Sequence, residues 1–439
     1  MEIMNRSLEK IAAGESVRLI AGLAAEFGVN VFLTGGCLRD YLMGRPVKDL
    51  DFALDGASTE FPRRYAERWG GTFFWLDEER LQARVVKKLA GETLICDFAP
   101  LRGTTIEDDL RLRDFTVNAL AIPVSGDRTL IDPLQGEADL RRHVIRACSD
   151  HAFDDDPLRL LRALRFAAEL GFEIEADTWS ALHRKAPLLA AVAAERIRDE
   201  LFRILAAPGI GTSLGLLAES GLLGEVMPEG LLQTVTNRQV APAVALERLC
   251  SDPDLLVPGE ANRLSAYLDG EVESGITVLS LIKFAVVLDP DGEADIPRLA
   301  ERLRLGRKAA RLLEMFCRDE HVVFGMLERT MTERALFRFF RDRDPFGPGM
   351  VILALAAGAV ATSLASRLLG YYVRDYDPAG DDLLLTGAEV MSLLGIGEGQ
   401  AVGEALAALR DYESRGLVND RAEARIFVKN LLTKREPVR

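Results

Sequence analysis

The chain has little of what disulfide frameworks, zinc clusters or membrane spans are built from. Its 439 residues include five cysteines and four histidines. Cys37, Cys96, Cys148, Cys250 and Cys317 lie far apart, are odd in number and include no Cys-x-x-Cys pair. This argues against a disulfide framework or a cysteine zinc site and leaves small buried apolar side chains as their role. No uninterrupted apolar run reaches the roughly 18 residues of a membrane span, and Met1 to Lys10 mix charges where a signal peptide would be apolar, so a cytoplasmic protein is expected. Positive charge is scarce as well: 54 Lys and Arg face 68 Asp and Glu, a net charge of -14. Phosphate contacts need Lys and Arg, so composition alone would exclude a nucleic-acid partner. The distribution says otherwise. Arginine concentrates at Arg141, Arg142, Arg146, Arg159, Arg162, Arg165, Arg196, Arg198 and Arg203, while acid collects elsewhere, as at Asp289, Asp291, Glu293 and Asp295. These arginines either meet phosphate or pair with acids on solvated helix faces.

What is present is a large apolar fraction, 48%, enough for more than one core and, by length, roughly three domains. From about residue 15 to 148 short β-rich runs (Val29 to Thr34, Asp51 to Leu54, Thr72 to Trp75, Ala83 to Lys88, Leu94 to Ala99) alternate with helical stretches, which predicts a mixed sheet flanked by helices. From Asp156 onward apolar residues recur at helical spacing, punctuated by Gly and Pro, and the remainder is expected to be helical. The fold class is α+β.

The most informative segment is LTGGCLRDYLMGRPVKDLDFAL, Leu33 to Leu54. It reads as strand, glycine turn, a helix carrying Arg39 and Asp40, a basic linker with Arg45 and Lys48, and a second strand bearing Asp49 and Asp51. Residues two apart on a strand share a face, so both carboxylates can grip one or two Mg²⁺ ions while Gly35 and Gly36 let a triphosphate approach the backbone. Alone, an Asp-x-Asp or a Gly-Gly pair marks only an acidic surface or a tight turn; together in one ordered unit they describe a nucleotidyl-transfer site.

The pattern GGxxRDxxxGRxxxDxD resembles the signature of the class II tRNA nucleotidyltransferase and bacterial poly(A) polymerase family. The resemblance continues in order through DLRLRDFTVNALAI (Asp109 to Ile122), IDPLQGEADLRRHVIR (Ile131 to Arg146), DDPLRLLRALRFAAELGFEI (Asp155 to Ile174), ERIRDELFRIL (Glu195 to Leu205) and a block from Leu384 to Val418 that looks like the family's RNA-binding tail. It implies a catalytic head over 15–148, a nucleotide-templating neck over 149–210, a helical body over 211–335 and an RNA-binding tail over 336–439. It also implies the chemistry, in-line attack of an RNA 3′-hydroxyl on the α-phosphate of a nucleoside triphosphate, with Mg²⁺ on Asp49 and Asp51 and the triphosphate held by Arg39 and the glycine turn. The implied partners are tRNA, through its acceptor stem and TΨC arm, and CTP, with ATP as a further candidate.

Arg113, Asp114 and Asn118 correspond to the block that contacts sugar and phosphate in the family, with Asp114 and Asn118 aligned if the segment is helical. The usual Arg-Arg-Asp is Leu112-Arg113-Asp114 here, so the first arginine's contact is lost or passes to Arg111. Asp156 and Arg159 correspond to the pair that templates the incoming base, followed by Arg162 and Arg165; the family's Glu-Asp-x-x-Arg is Asp155-Asp156-Pro157-Leu158-Arg159, and the acids can equally cap the helix. Asp97 is a third candidate carboxylate, or an outward polar residue on its strand.

Subtype turns on two absences. In CCA- and A-adding members a flexible loop follows a strand ending in arginine; here CDFAPLRG (Cys96 to Gly103) runs through TTIEDD directly into Leu110, which resembles the CC-adding enzymes. The stretch LSLIKFAVVLDP (Leu279 to Pro290) stands where many relatives carry a His-Asp phosphohydrolase pair, and it has no histidine. With His143, His151, His183 and His321 the only histidines, and His321 without a partner at ligand spacing, a non-catalytic body is expected. In the tail, Thr386-Gly387, Gly395, Gly397, Gly399 and Gly403 serve close approach to RNA or simple helix capping. A catalytically silent RNA-binding paralogue and a small-molecule nucleotidyltransferase are the alternatives from other classes.

Overall fold

The computed structural model describes residues 14–47, 49–89, 92–228, 237–288, 295–317, 333–376, 384–414, 417–418 and 421–433. Lys48, Asp289, Asp291, Glu293, His321 and the segment Met1 to Lys10 lie outside the described residues.

Helix α1 (Glu15–Phe27) places Val17, Ile20, Leu23 and Ala24 on one face and stops at Gly28, whose φ of 65° only glycine adopts without strain. Strand β1 (Val31–Thr34) follows, then helix α2 (Gly36–Leu42) and strand β2 (Asp49–Leu54). Helix α3 (Glu60–Trp69) buries Phe61, Tyr65 and Trp69 at four-residue spacing. Strands β3 (Thr72–Asp77), β4 (Gln82–Leu89), β5 (Glu92–Pro100) and, after helix α4 (Ile106–Arg111), β6 (Ala121–Pro123) complete a six-stranded mixed sheet in the order β3-β4-β5-β2-β1-β6. Only β2 and β5 run parallel.

The two faces of this sheet have different fates. On one, Phe52 stacks on Phe98 at 5.3 Å, and Phe98 meets Tyr65 and Phe61 of α3 at 5.3 and 6.0 Å. Each such buried ring contributes about 2 kcal/mol from removal of apolar area alone. On the other face Asp51 and Asp97 line a cavity instead of a core, and Asp49, two residues before Asp51, is exposed.

Beyond the sheet come α5 (Gly136–Arg142), α6 (Ala152–Asp155), α7 (Arg159–Leu170), α8 (Ala176–Lys185) and α9 (Ala194–Ala206). Helix α7 buries Leu160, Leu161, Ala163, Leu164 and Ala167 and packs against α9. The remainder is helical as expected, except for two short ladders, Val144–Ile145 with Glu173–Ile174 and Glu271–Glu273 with Ile276–Thr277. Both are two or three residues long, below the length at which period-two patterning is legible. In the body, Val278–Leu288 is buried along its whole length. Its Lys283 ammonium donates to the Ala207 carbonyl at 3.1 Å and lies 3.5 Å from Glu247.

The chain divides into two compact units, Met1–Glu320 with Gly349–Thr362, and His321–Pro348 with Ser363–Arg439. Within the second, Phe340 packs on Tyr371, Tyr372 and Tyr376. A separate cluster there is built from Leu385, Val390, Val402, Leu409 and Val428. Thr386 N-caps Gly387–Leu394 through a reciprocal capping box with Glu389, and Gly395 ends that helix with φ 64°. Gly397 and Gly399 lie in the stretch that follows and Gly403 inside the helix Gln400–Ser414, and none of the four has a heavy atom near a notional Cβ.

Candidate active site

Asp49 and Asp51 stand two residues apart on β2, and the pleat sends both carboxylates to one face. The ladder extends that row: Asp51 is opposite Asp97 on β5, and Asp97 is opposite Arg84 on β4. Arg84 grips Asp97 with two hydrogen bonds of 2.7 Å. Asp97, the third candidate carboxylate, therefore faces the site but is already paired with Arg84. No described side chain donates to Asp49 or Asp51.

Burial pushes the Asp51 carboxyl up from 3.8 to about 6; the charges of Asp97 and Asp49 push the same way, and Arg113 pulls against them. Negative charge that no described side chain partners, on a half-buried strand, is the setting a hard divalent cation fits. Among the described residues no group of three His, Cys, Asp or Glu side chains is placed to hold a metal. The donors that could hold such an ion are the two aspartates Asp49 and Asp51.

Gly35 makes this access possible. It links β1 to α2 with φ 85° and ψ -152°, a conformation essentially restricted to glycine. A Cβ there would sit 3.0 Å from Nη1 of Arg113 and 3.1 Å from Oδ2 of Asp51. Gly36 differs: a Cβ would meet only the Arg39 guanidinium, at an ordinary 3.5 Å. Gly35→Ala is expected to lower kcat about 100-fold through misplacement of Asp51, with circular dichroism unchanged, whereas Gly36→Ala stays near wild type; equal effects at the two positions would contradict this.

The cavity beside these residues measures about 870 Å³ and is lined by Gly35, Gly36, Arg39, Asp51, Arg113, Asp114, Asn118 and Arg162, among others. Its far wall is one chain of alternating charge. Asp40 accepts two bonds from Arg39, at 2.9 and 2.8 Å. Arg39 donates to Oδ1 of Asn118 at 2.7 Å, and Asn118 donates to Asp114 at 3.1 Å. Asp114 in turn takes two bonds from Arg162, at 3.0 and 2.6 Å. Arg162 lies 3.7 Å from Glu200, which accepts from Arg165 at 2.6 Å. The ring of Phe166 sits under all three guanidinium groups, of Arg39, Arg162 and Arg165, at 5.1, 5.2 and 4.1 Å. Burial alone would raise the Asp114 carboxyl, but the Arg162 charge and hydrogen bonds from Arg162, Asn118 and the Phe115 amide hold it below its usual range.

Asp114 and Asn118 meet through a 3-10 turn, Thr116–Asn118, followed by strand β6, not through the α-helix their spacing suggested. Hydrogen bonding to Asp114 compensates the tighter geometry. Asp40 and Arg165 belong to the network but do not line the cavity, and neither do Asp156 and Arg159. Asp156 accepts from the Leu158 amide at 3.2 Å, a local turn ahead of α7, whose N-cap Leu158 has no side-chain cap, and from Arg196 at 2.9 Å. Arg159 donates to the carbonyls of Leu112, Arg113 and Ala152. Arg111 is exposed outside the cavity, and the additional arginines lining it are Arg80 and Arg102.

Arg102 and Asp109 are residues the sequence reading passed over. Asp109 is 2% exposed and holds both Arg102 and Arg113, at 2.9 and 3.0 Å. Its four-residue spacing to Arg113 was the available signal. Glu200 and Phe166, equally central, carried none. Of the clustered arginines, Arg141, Arg146, Arg162, Arg165, Arg196, Arg198 and Arg203 are each paired with an acid.

Residues 31–146 match the family described as the poly(A) polymerase head domain, and residues 171–231 match the one described as the "RNA and SrmB- binding site of polymerase A". The chain is 45% identical over 424 residues to the CC-adding tRNA nucleotidyltransferase of Geobacter sulfurreducens, covering 96% of each chain. The chain belongs to the tRNA nucleotidyltransferase and poly(A) polymerase family. The A-adding tRNA nucleotidyltransferase of Deinococcus radiodurans is a more distant member at 33% identity, over 92% of this chain and 96% of that one. Among solved structures, the Thermotoga maritima CCA-adding enzyme complexed with tRNA has the same fold, with a TM-score of 0.67 at 24% identity over 95% of this nucleotidyltransferase and 94% of its own chain. No helix among the described residues is long and apolar enough to cross a membrane.

Proposed function

We propose that this nucleotidyltransferase adds cytidines from CTP to the 3′ end of tRNA and stops after two. The observation that carries nucleotidyl transfer is the Asp49–Asp51 pair on one face of β2, unpartnered by described side chains, with Asp51 lining the cavity that Arg39, Arg113 and Arg162 also line and Asp49 exposed beside it. Mg²⁺ held by these two carboxylates would lower the pKa of the attacking 3′-hydroxyl and offset charge on the triphosphate. Gly35 leaves the opening through which the nucleotide reaches Asp51. Arg113, fixed by Asp109 beside Asp51, and Arg39, which keeps two N–H groups after its bonds to Asp40 and Asn118, are positioned to hold phosphate oxygens. Arg162 and Asp114 offer donor and acceptor on the opposite wall. Base templating by Asp156 and Arg159 would require both to leave the partners they hold in the free protein, a change that a bound nucleotide and tRNA can drive by differential contact.

Cytidine addition alone is supported by the connection from β5 to α4, only five residues long and locked. Thr105 accepts from the Asp108 amide, and Asp108 accepts from the Thr105 amide and the Thr104 hydroxyl. A turn so fixed has no length for the flexible loop of CCA-adding members. In this reading residues 15–148 form the head, 149–210 the templating neck, 211–335 a non-catalytic body and 336–439 the RNA-binding tail, acting in the cytoplasm. Incubation with labelled CTP or ATP and tRNA transcripts ending at the discriminator base, at C or at CC tests it. CTP should label the first two transcripts and ATP none; ATP incorporation onto the CC-ended transcript overturns the subtype.

A further inference from the structure

Four side chains stand in one row across the sheet. Register pairs Asp51 with Asp97, Asp97 with Arg84, and Arg84 with Phe74 on β3. Directly opposed residues share a face, and at about 4.8 Å per strand Phe74 lies roughly 14 Å from Asp51. Strand β3 is the outer strand of the sheet, and there the row ends in apolar side chains left uncovered: Phe74 is 42% exposed and Leu76 47%. Their alternates are accounted for differently, since Arg63 lies over the rings of Phe73 and Trp75 at 4.6 and 5.6 Å.

A long apolar residue exposed on an edge strand is a liability that folded proteins ordinarily avoid. Here it adjoins the active site. The register shifts between Trp75 and Asp77, a bulge that re-aims the strand at Leu76. Leu76 lines the same cavity as Asp51, together with Arg80 and Arg102. Arg80 is 78% exposed with a loose 3.6 Å contact to Asp77, and the Arg102 side chain is 47% exposed. Apolar faces interleaved with exposed cations, continuous with a phosphoryl-transfer site, are the elements of a single-strand nucleic-acid surface: the rings take the faces of bases, the guanidinium groups the backbone. An RNA strand whose 3′-hydroxyl is at Asp51 must leave the cavity over some part of its rim.

We propose that Phe74 and Leu76 form a stacking platform for the bases of the RNA strand just upstream of its reacting 3′ end, with Arg80 and Arg102 against its phosphates. This rests on the nucleotidyl-transfer reading and adds to it a primer-positioning role for β3. The test is steady-state kinetics of the full chain carrying Phe74→Ala and Leu76→Ala, with CTP and a tRNA transcript ending at the discriminator base. KM for the transcript is expected to rise about ten-fold or more while KM for CTP stays within about two-fold. Phe74→Trp, which enlarges the stacking face, should keep transcript KM at or below the wild-type value. An unchanged transcript KM in the double variant, or a CTP KM that rises in step with it, overturns the platform. The same variants are compared for binding a fluorescein-labelled oligoribonucleotide ending in CC, without nucleotide. If the wild-type protein incorporates nothing, the catalytic reading fails, and this affinity, reduced by the double substitution or not, decides the platform by itself.

Discussion

Asp51→Asn is expected to abolish nucleotide incorporation, by about 10³-fold or more, and at the same time to raise the melting temperature of the metal-free protein. The first effect follows from charge: a divalent cation that supplies several kcal/mol of transition-state stabilisation loses one of its two protein carboxylates, and each 1.4 kcal/mol is about ten-fold in rate. The second follows from the state of that carboxyl in the free protein. Its folded value is about 6 against 3.8, so the folded state favours the protonated form. The stability this provides is fully present below 3.8 and disappears as pH rises through about 6, leaving a penalty at neutral pH. Asparagine is neutral throughout. Thermal unfolding of wild type and variant should therefore coincide near pH 4, separate as pH approaches 6 and stay separated above it. Added Mg²⁺ should stabilise the wild type and close that gap, with little effect on the variant, because only a ligand bound to the folded state shifts its melting. A variant that keeps activity within ten-fold, or a metal response equal in both proteins, would remove the aspartate pair from the chemistry.

How much of this site could be seen in the chain beforehand depended on whether its residues were local partners. Asp49, Asp51 and Gly35 lie within one strand-turn-helix-strand unit, so strand periodicity and glycine's conformational range were sufficient to place them. The short link between β5 and α4 was equally visible, because it is a count of residues. Phe166, Glu200 and Arg84 could not be recognised the same way. Each acquires its role from a partner distant in sequence, Glu200 from Arg165 35 residues away and Arg84 from Asp97 across a hairpin. Asp156 and Arg159 show the converse. The block around them singled them out, yet in the folded chain one accepts from the Leu158 amide and pairs with Arg196, and the other is bonded to backbone carbonyls. Sequence placed these two by likeness, while the folded chain shows the bonds that base templating would require them to release. Net charge was a poor guide to what the cavity presents, because it is a sum over the whole chain while Arg39, Arg80, Arg102, Arg113 and Arg162 all line this one cavity.

Asp114→Ala is expected to destabilise the protein by about 3–5 kcal/mol, the largest single-residue effect on folding in the network, because it removes one partner of a buried ion pair and strands the other. The Asp114 carboxylate takes bonds from Arg162 at 2.6 and 3.0 Å, from Asn118 at 3.1 Å and from the Phe115 amide at 2.8 Å. Its loss leaves the Arg162 guanidinium with Glu200 at 3.7 Å and frees the Asn118 amide that keeps Oδ1 turned toward Arg39. For a unit of this size the melting temperature should fall by roughly 10 °C. Asp114→Asn retains an acceptor for one bond and should fall less, which separates lost charge from lost packing. The pH dependence has the sign opposite to that of Asp51. The folded value of Asp114 lies below 3.8, so its stabilisation is complete above 3.8 and is lost only as pH drops through that lower value. Denaturant unfolding should accordingly show the full wild-type-to-alanine difference from pH 8 down to pH 5 and a narrowing difference under stronger acid. Because Arg162 also lines the cavity, KM for CTP should rise in the same variant; a protein that loses stability but keeps its KM would assign Asp114 and Arg162 to the scaffold and leave nucleotide contact on that wall to Arg39.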